Sequence, residues 1–306
     1  MQKAAVKNTL HPERAVNAIK AVLLASRTFL KADAALVLTC GRELNPDARG
    51  GRDVILEYAK KHLDKFQFFM AEAVFKSLSG QDMDLLTLEA NLVDFCDCIL
   101  IVLESEGTLA ELGAFAMKKQ LAKNMLVIND ARFEHTISFI SMGPLAKVNR
   151  ESRFRPVIYV DLESILRAGP QVAERLGKIE RQRNRRVDLS KVSRFKKLAR
   201  KTRMLFLLDL ITFFQPLKRG ELISILTALY GTDNFGDVTL EIHVLAALGL
   251  VIRRAEYYMR PSDSQRLFFA YQGLNEIAIR SDIVNHYHKY WREKVSIMRD
   301  KLGRQA

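Results

Sequence analysis

The chain has 306 residues, and 48% hydrophobic against 27% charged residues is the balance of a globular protein with room for two domains, which excludes a disordered or fibrous chain. A formal net charge of +13 points to an acidic partner, phosphate backbones foremost. No apolar run reaches the roughly 20 residues a membrane-spanning helix needs. The three cysteines, Cys40, Cys96 and Cys98, form neither a disulfide framework nor a zinc spacing, so a reducing cytoplasm is the expected compartment.

Residues 1–33 read as a helical lead-in; Lys20 and Arg27 interrupt its apolar stretch, which marks an amphipathic helix rather than a secretory leader. Ala34–Cys40 predicts a strand ending at Gly41. A polar loop with Asn45-Pro46-Asp47 and Gly50-Gly51 follows, then a helix over about 52–62. Further strands are expected at 66–70, 98–103, 125–128 and 157–160, with helices over about 84–95 and 109–121 between them. Strands alternating with helices imply βαβ units and a parallel, Rossmann-like sheet covered on both faces. Right-handed crossovers then place the loops after Cys40, Met70, Leu103 and Ile128 along one edge, where ligands bind in such sheets.

A helix from about Leu162, broken or kinked near Gly169-Pro170, then carries a basic stripe. It holds Arg175, Lys178, Arg181, Arg183, Arg185, Arg186, Lys191, Arg194, Lys196, Lys197, Arg200, Lys201 and Arg203, offset by Glu180 and Asp188. This is either a footprint for phosphates or the solvated face of a helical linker over 166–203. Helices over 204–214, 219–230 and 238–248 follow, then 249–259, a turn, and 265–271. Three helices and a β-hairpin describe a winged helix-turn-helix, with a last helix over 281–299. Few basic residues lie on 238–248, so Arg253, Arg254, Arg260 and Arg266 on the wing suit backbone contact better than base reading. Tyr257 and Tyr258 there either stack on unpaired bases or pack the wing. The spacing of His286 and His288 does not make a metal site.

The densest chemistry lies in Cys98–Phe115. An apolar strand runs into an acidic turn, Gly107-Thr108 lets backbone approach a ligand, and Glu111 stands in the expected first helical turn. Thr108-x-x-Glu111 also reads as a capping box, with Glu111 reaching back to the Thr108 amide. The helix dipole would keep such a first-turn carboxylate ionised, the state a nucleophile needs. Arg52, after Gly50-Gly51, could clamp a phosphate or be a surface arginine. Glu72 and Glu89, near strand or helix ends, could orient substrate hydroxyls or be inert solvated residues.

Gly107-Thr108-x-x-Glu111-Leu112-Gly113-Ala114 after an apolar strand resembles the signature of nucleoside 2-deoxyribosyltransferases. Leu88-Glu89, Asp97–Ser105, Glu111–Phe115, Ile128–Phe133 and Ser138–Pro144, with Thr39-Cys40-Gly41 and Arg52, are similar to the effectors of type II retrons. The resemblance covers about residues 34–150 and implies a deoxyribosyltransferase-like domain over 34–165 and a winged helix over 204–306. It further implies a toxin that cleaves or exchanges an N-glycosidic bond and is restrained by a reverse transcriptase with its multicopy single-stranded DNA. The family's nucleophile maps onto Glu111. Its sugar- and phosphate-contacting loops map onto Cys40, Gly41, Arg52, Ser105, Glu106, Gly107 and Thr108. Where the family commonly has an aspartate, this chain has Ser105. Without that acid a neutral base leaves poorly, whereas the nicotinamide of NAD is already cationic, so NAD or a related nucleotide is the expected substrate and no cofactor is needed. A homodimer or larger assembly is expected, and nucleic-acid contact falls to Arg181, Arg183, Arg185, Arg186, Lys196, Lys197, Arg200, Lys201, Arg253 and Arg254.

Three rival readings share some of these features. The cytokinin-activating phosphoribohydrolases also end a Gly-rich turn in Gly-Thr-x-x-Glu, but this chain lacks their paired glycines. A nucleotide-sensing regulator would use an inert α/β domain to control a DNA-binding winged helix. An adaptor of a nucleoprotein complex would need only the basic stripe and the winged helix.

Overall fold

A computed structural model of the chain describes residues 12–32, 35–42, 49–78, 84–180, 183–236, 238–261 and 266–302. The chain divides into two units: Ala34–Arg181, and Met1–Asp33 together with Gln182–Ala306. The described part of the lead-in is helix α1 (Glu13–Leu24) followed by strand β1 (Thr28–Ala32), so it is not helical throughout. α1 buries Ala15, Val16, Ile19, Val22 and Leu23 at helical spacing. Ser26, with φ near 51°, turns the chain out of the helix before the β-favouring pair Thr28-Phe29.

The unit at 34–181 is built on five parallel strands: β2 (Ala35–Cys40), β3 (Phe66–Phe69), β4 (Cys98–Val102), β5 (Met125–Asp130) and β6 (Ile158–Val160). Their order is β3-β2-β4-β5-β6, and every pair is parallel, as βαβ units imply. The central strands β2, β4 and β5 are largely apolar because both faces are covered, whereas the edge strand β3 is half-buried and carries Gln67. On one face Ala35, Val37, Cys98, Leu100, Val102 and Leu126 pack with Ile55 and Ala59 of α2 (Gly51–His62) and with Val172 and Leu176 further along the chain. The other face is covered by α3 (Ala71–Ser77), which packs on β2 and on α4 (Leu85–Leu92), and by α5 (Glu106–Met117), which packs on β4. α3 fills a stretch that the sequence reading left unassigned. The short α6 (Lys119–Ala122) and α7 (Ala146–Glu151) complete the layer connections, and the helix expected from Leu162 is a 3-10 segment (Leu162–Ala168), kinked at Ser164, followed by α8 (Gly169–Leu176).

In the other unit the expected helical linker is not one helix. It contains β7 (Arg183–Arg186) and α9 (Val192–Lys197). α10 (Arg200–Phe214), β8 (Leu217–Lys218), α11 (Arg219–Tyr230), α12 (Thr239–Ala247), β9 (Ile252–Arg254) and β10 (Tyr257–Met259) follow, then β11 (Phe269–Tyr271), α13 (Glu276–Tyr290) and α14 (Arg292–Leu302). The hairpin lies within 252–259 and adds β8, giving the order β8-β10-β9. The stretch read as its second strand, 265–271, instead gives β11, which joins a separate sheet, β11-β1-β7. Asp209, buried in α10, holds it there by accepting from the Phe268 and Phe269 amides at 2.7 and 2.8 Å and from the Tyr271 hydroxyl at 3.2 Å. The C-terminal half is therefore not purely helical.

Candidate active site

In a parallel sheet of this order the chain reverses direction between β2 and β4, and a crevice opens at the carboxyl ends of those two strands. Cys40 ends β2 there, and β4 leads through Leu103-Glu104-Ser105 into α5. Ser105 is the helix cap. Its Oγ accepts from the Thr108 amide at 3.4 Å, and Thr108 Oγ1 accepts from the Ser105 amide at 3.2 Å. The capping box thus sits three residues earlier than the spacing Thr108-x-x-Glu111 implied. Glu111 lies in the second turn and caps nothing, and the first-turn dipole expected to hold it ionised does not act on it.

Glu111 is instead one of a cluster that α2, α3, α4 and β2 each supply. Glu89 of α4, 4% exposed, hydrogen-bonds to Glu111, and Cys40 of β2, 3% exposed, does the same. Burial and then the charge of Glu111 push the Glu89 carboxyl up to about 8. Burial and then the Glu72 charge raise Glu111, while its hydrogen bonds from Cys40 and Glu89 and the nearby Arg52 charge pull the other way. Two carboxyls in contact, Glu89 buried and Glu111 half-buried, do not both ionise at neutral pH, so the pair holds one proton. The donors around Glu111 favour its anion, which leaves the proton on Glu89. The Cys40 thiol is raised well above its ordinary range, by burial first and then by Glu111, Glu89 and Glu72, and stays a neutral donor.

Arg52 is neither a surface residue nor an open clamp. It is 1% exposed, and its Nη1 pairs with Glu72 Oε1 at 2.7 Å. Gly41 makes this possible: a Cβ there would overlap Arg52 Cβ and stand 2.7 Å from its Cδ. The α2 N-terminus, expected to dock a phosphate, is already filled. Glu104 accepts from the Arg42, Gly51 and Arg52 amides at 2.9, 2.5 and 3.1 Å. Two polar ends in the cluster are left over: among the described residues, Arg52 Nε and Nη2 and Glu111 Oε2 are buried without a hydrogen-bond partner.

A cavity of about 740 Å³ lies nearby, lined by Ser105, Glu106, Leu109, Asp130 and Arg132 among others. None of Cys40, Arg52, Glu72, Glu89 or Glu111 lines it. At about 100° per residue, Glu111 projects from α5 well away from Glu106 and Leu109. The cavity and the carboxyl cluster therefore flank opposite sides of that helix, and chemistry at Glu111 belongs to the cluster. Of the expected substrate loops, Ser105 and Glu106 face the cavity, Gly107 is exposed, and Thr108 is buried in its cap. Among the described residues no group of His, Cys, Asp and Glu is placed to hold a metal ion.

The expected nucleic-acid residues separate into two kinds. Arg183, Arg185 and Arg186 lie exposed on β7, an edge strand, with Arg186 Nε on the Ser26 carbonyl. Lys196 and Lys197 of α9 are exposed, Lys196 donating to Asn234 at 2.7 Å. Lys201 is buried, Arg200 is half-buried, and Arg203 is paired with the buried Glu241 of α12. These serve packing. Arg253 is exposed and donates to the Ala255 carbonyl within its own hairpin, Arg254 is half-buried, and Arg181 lies outside the described residues. Arg260, placed on the wing by sequence, is buried, as are Tyr257 and Tyr258.

A family model described as STM3845 retron effector protein matches residues 48–253. Two Escherichia coli proteins are also similar. The chain is 33% identical over 237 residues to the one named "Retron Ec73 putative ribosyltransferase/DNA-binding protein", across 71% of this chain and 72% of that protein. It is 32% identical over 123 residues to its retron Ec86 counterpart, across 39% of this chain and 40% of that protein.

Proposed function

The chain belongs to the STM3845 retron effector family, and within that role we propose that it is a toxin that cleaves the N-glycosidic bond of NAD or a related nucleotide. The hydrogen-bonded pair Glu89–Glu111 carries this reading. A chain that only sensed nucleotides would gain nothing from a buried and a half-buried carboxyl sharing a proton, which disfavours the regulator reading.

Glu111, the anion of the pair, attacks the anomeric carbon as the bond to the base breaks, forming a glycosyl ester. Water then hydrolyses the ester and restores the carboxylate. Ser105 is occupied in capping α5 and carries no acidic proton, so Glu89 is the proton source of the site. Nicotinamide departs from NAD neutral and needs no proton, so Glu89 keeps its own and the proton lost by the attacking water passes to solvent. A neutral base takes one from Glu89, which recovers it from the attacking water.

The exposed arginines of β7 and lysines of α9 are the contacts for phosphates of the multicopy DNA that, with its reverse transcriptase, holds the toxin in check. The segment from α10 to β10 is the winged helix of this proposal. α12 carries no lysine or arginine, so it anchors rather than reads a groove. The working assembly is a homodimer or larger, a state gel filtration at micromolar concentration reports. No helix among the described residues is long and apolar enough to cross a membrane.

The test is base release by liquid chromatography, with NAD, nucleotides and deoxynucleosides offered separately to wild type and Glu111→Gln. Nicotinamide or base freed by wild type alone is the expected result. No release from any substrate, with or without the reverse transcriptase and its DNA, refutes the reading.

A further inference from the structure

The leftover polar atoms of the cluster specify more than a nucleophile. In a β-nucleoside the base and the 2′-hydroxyl lie on opposite faces of the sugar. A carboxylate displacing the base attacks from the face that bears the 2′-hydroxyl. One oxygen of Glu111 forms the bond to C1′, and the other then lies beside C2′, as in retaining glycosidases, where contacts to the 2-hydroxyl tighten in the transition state. Glu111 Oε2 is unpartnered and can accept that hydroxyl's proton. The hydroxyl oxygen also needs a donor. Arg52 supplies two, Nε and Nη2, both buried and unpartnered, on a guanidinium fixed by Glu72 and close enough to Glu111 to act on its charge.

We infer that Arg52 and Glu111 together hold the 2′-hydroxyl of the reacting sugar, so that the site takes ribosyl substrates and discriminates against 2′-deoxyribosyl ones. This rests on the N-glycosidase reading and sets its substrate class. A deoxy sugar would leave the buried donors of Arg52 as unpaired as they are in the free protein. A site that hydrogen-bonds a substrate hydroxyl rejects the analogue lacking it strongly, because its buried polar groups lose their only partner.

The experiment compares kcat/KM for base release from NAD and from NAD carrying 2′-deoxyribose at the nicotinamide, and from AMP and dAMP, using the full-length wild-type chain. The expected ratio of ribo to deoxy is about a hundredfold or more. Arg52→Lys keeps a charge for Glu72 but loses the fork, and should reduce that ratio at least about tenfold. A purely structural arginine would lower both rates together and leave the ratio unchanged. Equal rates for ribo and deoxy substrates in wild type overturn the inference even if Arg52→Lys fails to fold. Release from no substrate, with or without the reverse transcriptase and its DNA, overturns the N-glycosidase reading, and calorimetry of AMP and dAMP binding to wild type then decides separately. Tighter AMP binding supports the hydroxyl site, and equal binding overturns it.

Discussion

Replacing Glu89 with glutamine isolates the proton that the carboxyl pair holds. The wild-type Glu89 carboxyl titrates at about 8. One pH unit is a tenfold change in the proton ratio, so the protonated fraction is about ten parts in eleven at pH ~7 and about one in eleven at pH ~9. For a base that takes its proton from Glu89, such as adenine, kcat/KM for release should fall about tenfold across that interval, and for nicotinamide it should not. Glutamine remains neutral throughout and still donates an N–H to Glu111, so Glu89→Gln should lack this alkaline limb. Its rate should depend on the leaving group. Release of nicotinamide from NAD should stay within about tenfold of wild type, because that group needs no proton, whereas release of adenine should fall by about 10²–10⁴. Steady-state kinetics by chromatography over pH ~6–10 reads both effects. An alkaline limb unchanged in Glu89→Gln, or equal losses for nicotinamide and adenine, would refute the assignment of the proton to Glu89.

Other consequences follow from the same structure. Gly41→Ala would drive a Cβ into Arg52 and should cost about 1–3 kcal/mol, read as a thermal midpoint lower by several degrees; an unchanged midpoint would mean Arg52 is not packed there. Arg183→Ala, Arg185→Ala and Arg186→Ala together should make the logarithmic salt dependence of DNA binding shallower by up to about 3, measured by anisotropy between low and moderate salt; an unchanged slope would remove β7 from the interface. Stability should fall as pH rises. Glu89 and Asp209 titrate at about 8 and 7 when folded, above their ordinary 4.5 and 3.8, so the folded state keeps protons that the unfolded chain releases. Their contribution is full below the ordinary carboxyl range and lost through about pH 7 to 8. The urea midpoint should therefore drop between pH ~6 and ~8.5, less so in Asp209→Asn; a rising midpoint would contradict both assignments.

The parallel sheet was legible because its central strands are largely apolar runs separated by helical patterns, and β2 to β6 fall where that periodicity places them. Local pattern misplaced what depends on partners distant in sequence. Thr28–Ala32 is a strand because it pairs with β7 and β11, and Phe269–Tyr271, expected in the hairpin, instead pairs with it across some 240 residues, where Asp209 in another element fixes it. The basic stripe read as a single feature because charge is visible in sequence and burial is not. Lys201 and Arg203 turn inward while Arg183 to Arg186 stay exposed. At the site, spacing singled out Glu111, but Thr108-x-x-Glu111 mistook the cap, since Ser105 is the better-placed hydroxyl at the true start of α5. Glu89 carried no local signal beyond its place beside the Leu88 of a helix. Its role arises from the packing of α4 on α3, which itself packs on β2, and this brings three carboxyls and an arginine together.

The most direct test of Glu111 as the nucleophile is mass spectrometry of the wild-type protein acid-quenched within the first turnover with NAD or the substrate found to be cleaved. The expected result is one glycosyl unit added to the peptide that contains Glu111, matched by one equivalent of released base, and neither in Glu111→Gln. Base release with no adduct, continuing at the wild-type rate in Glu111→Gln, would contradict it.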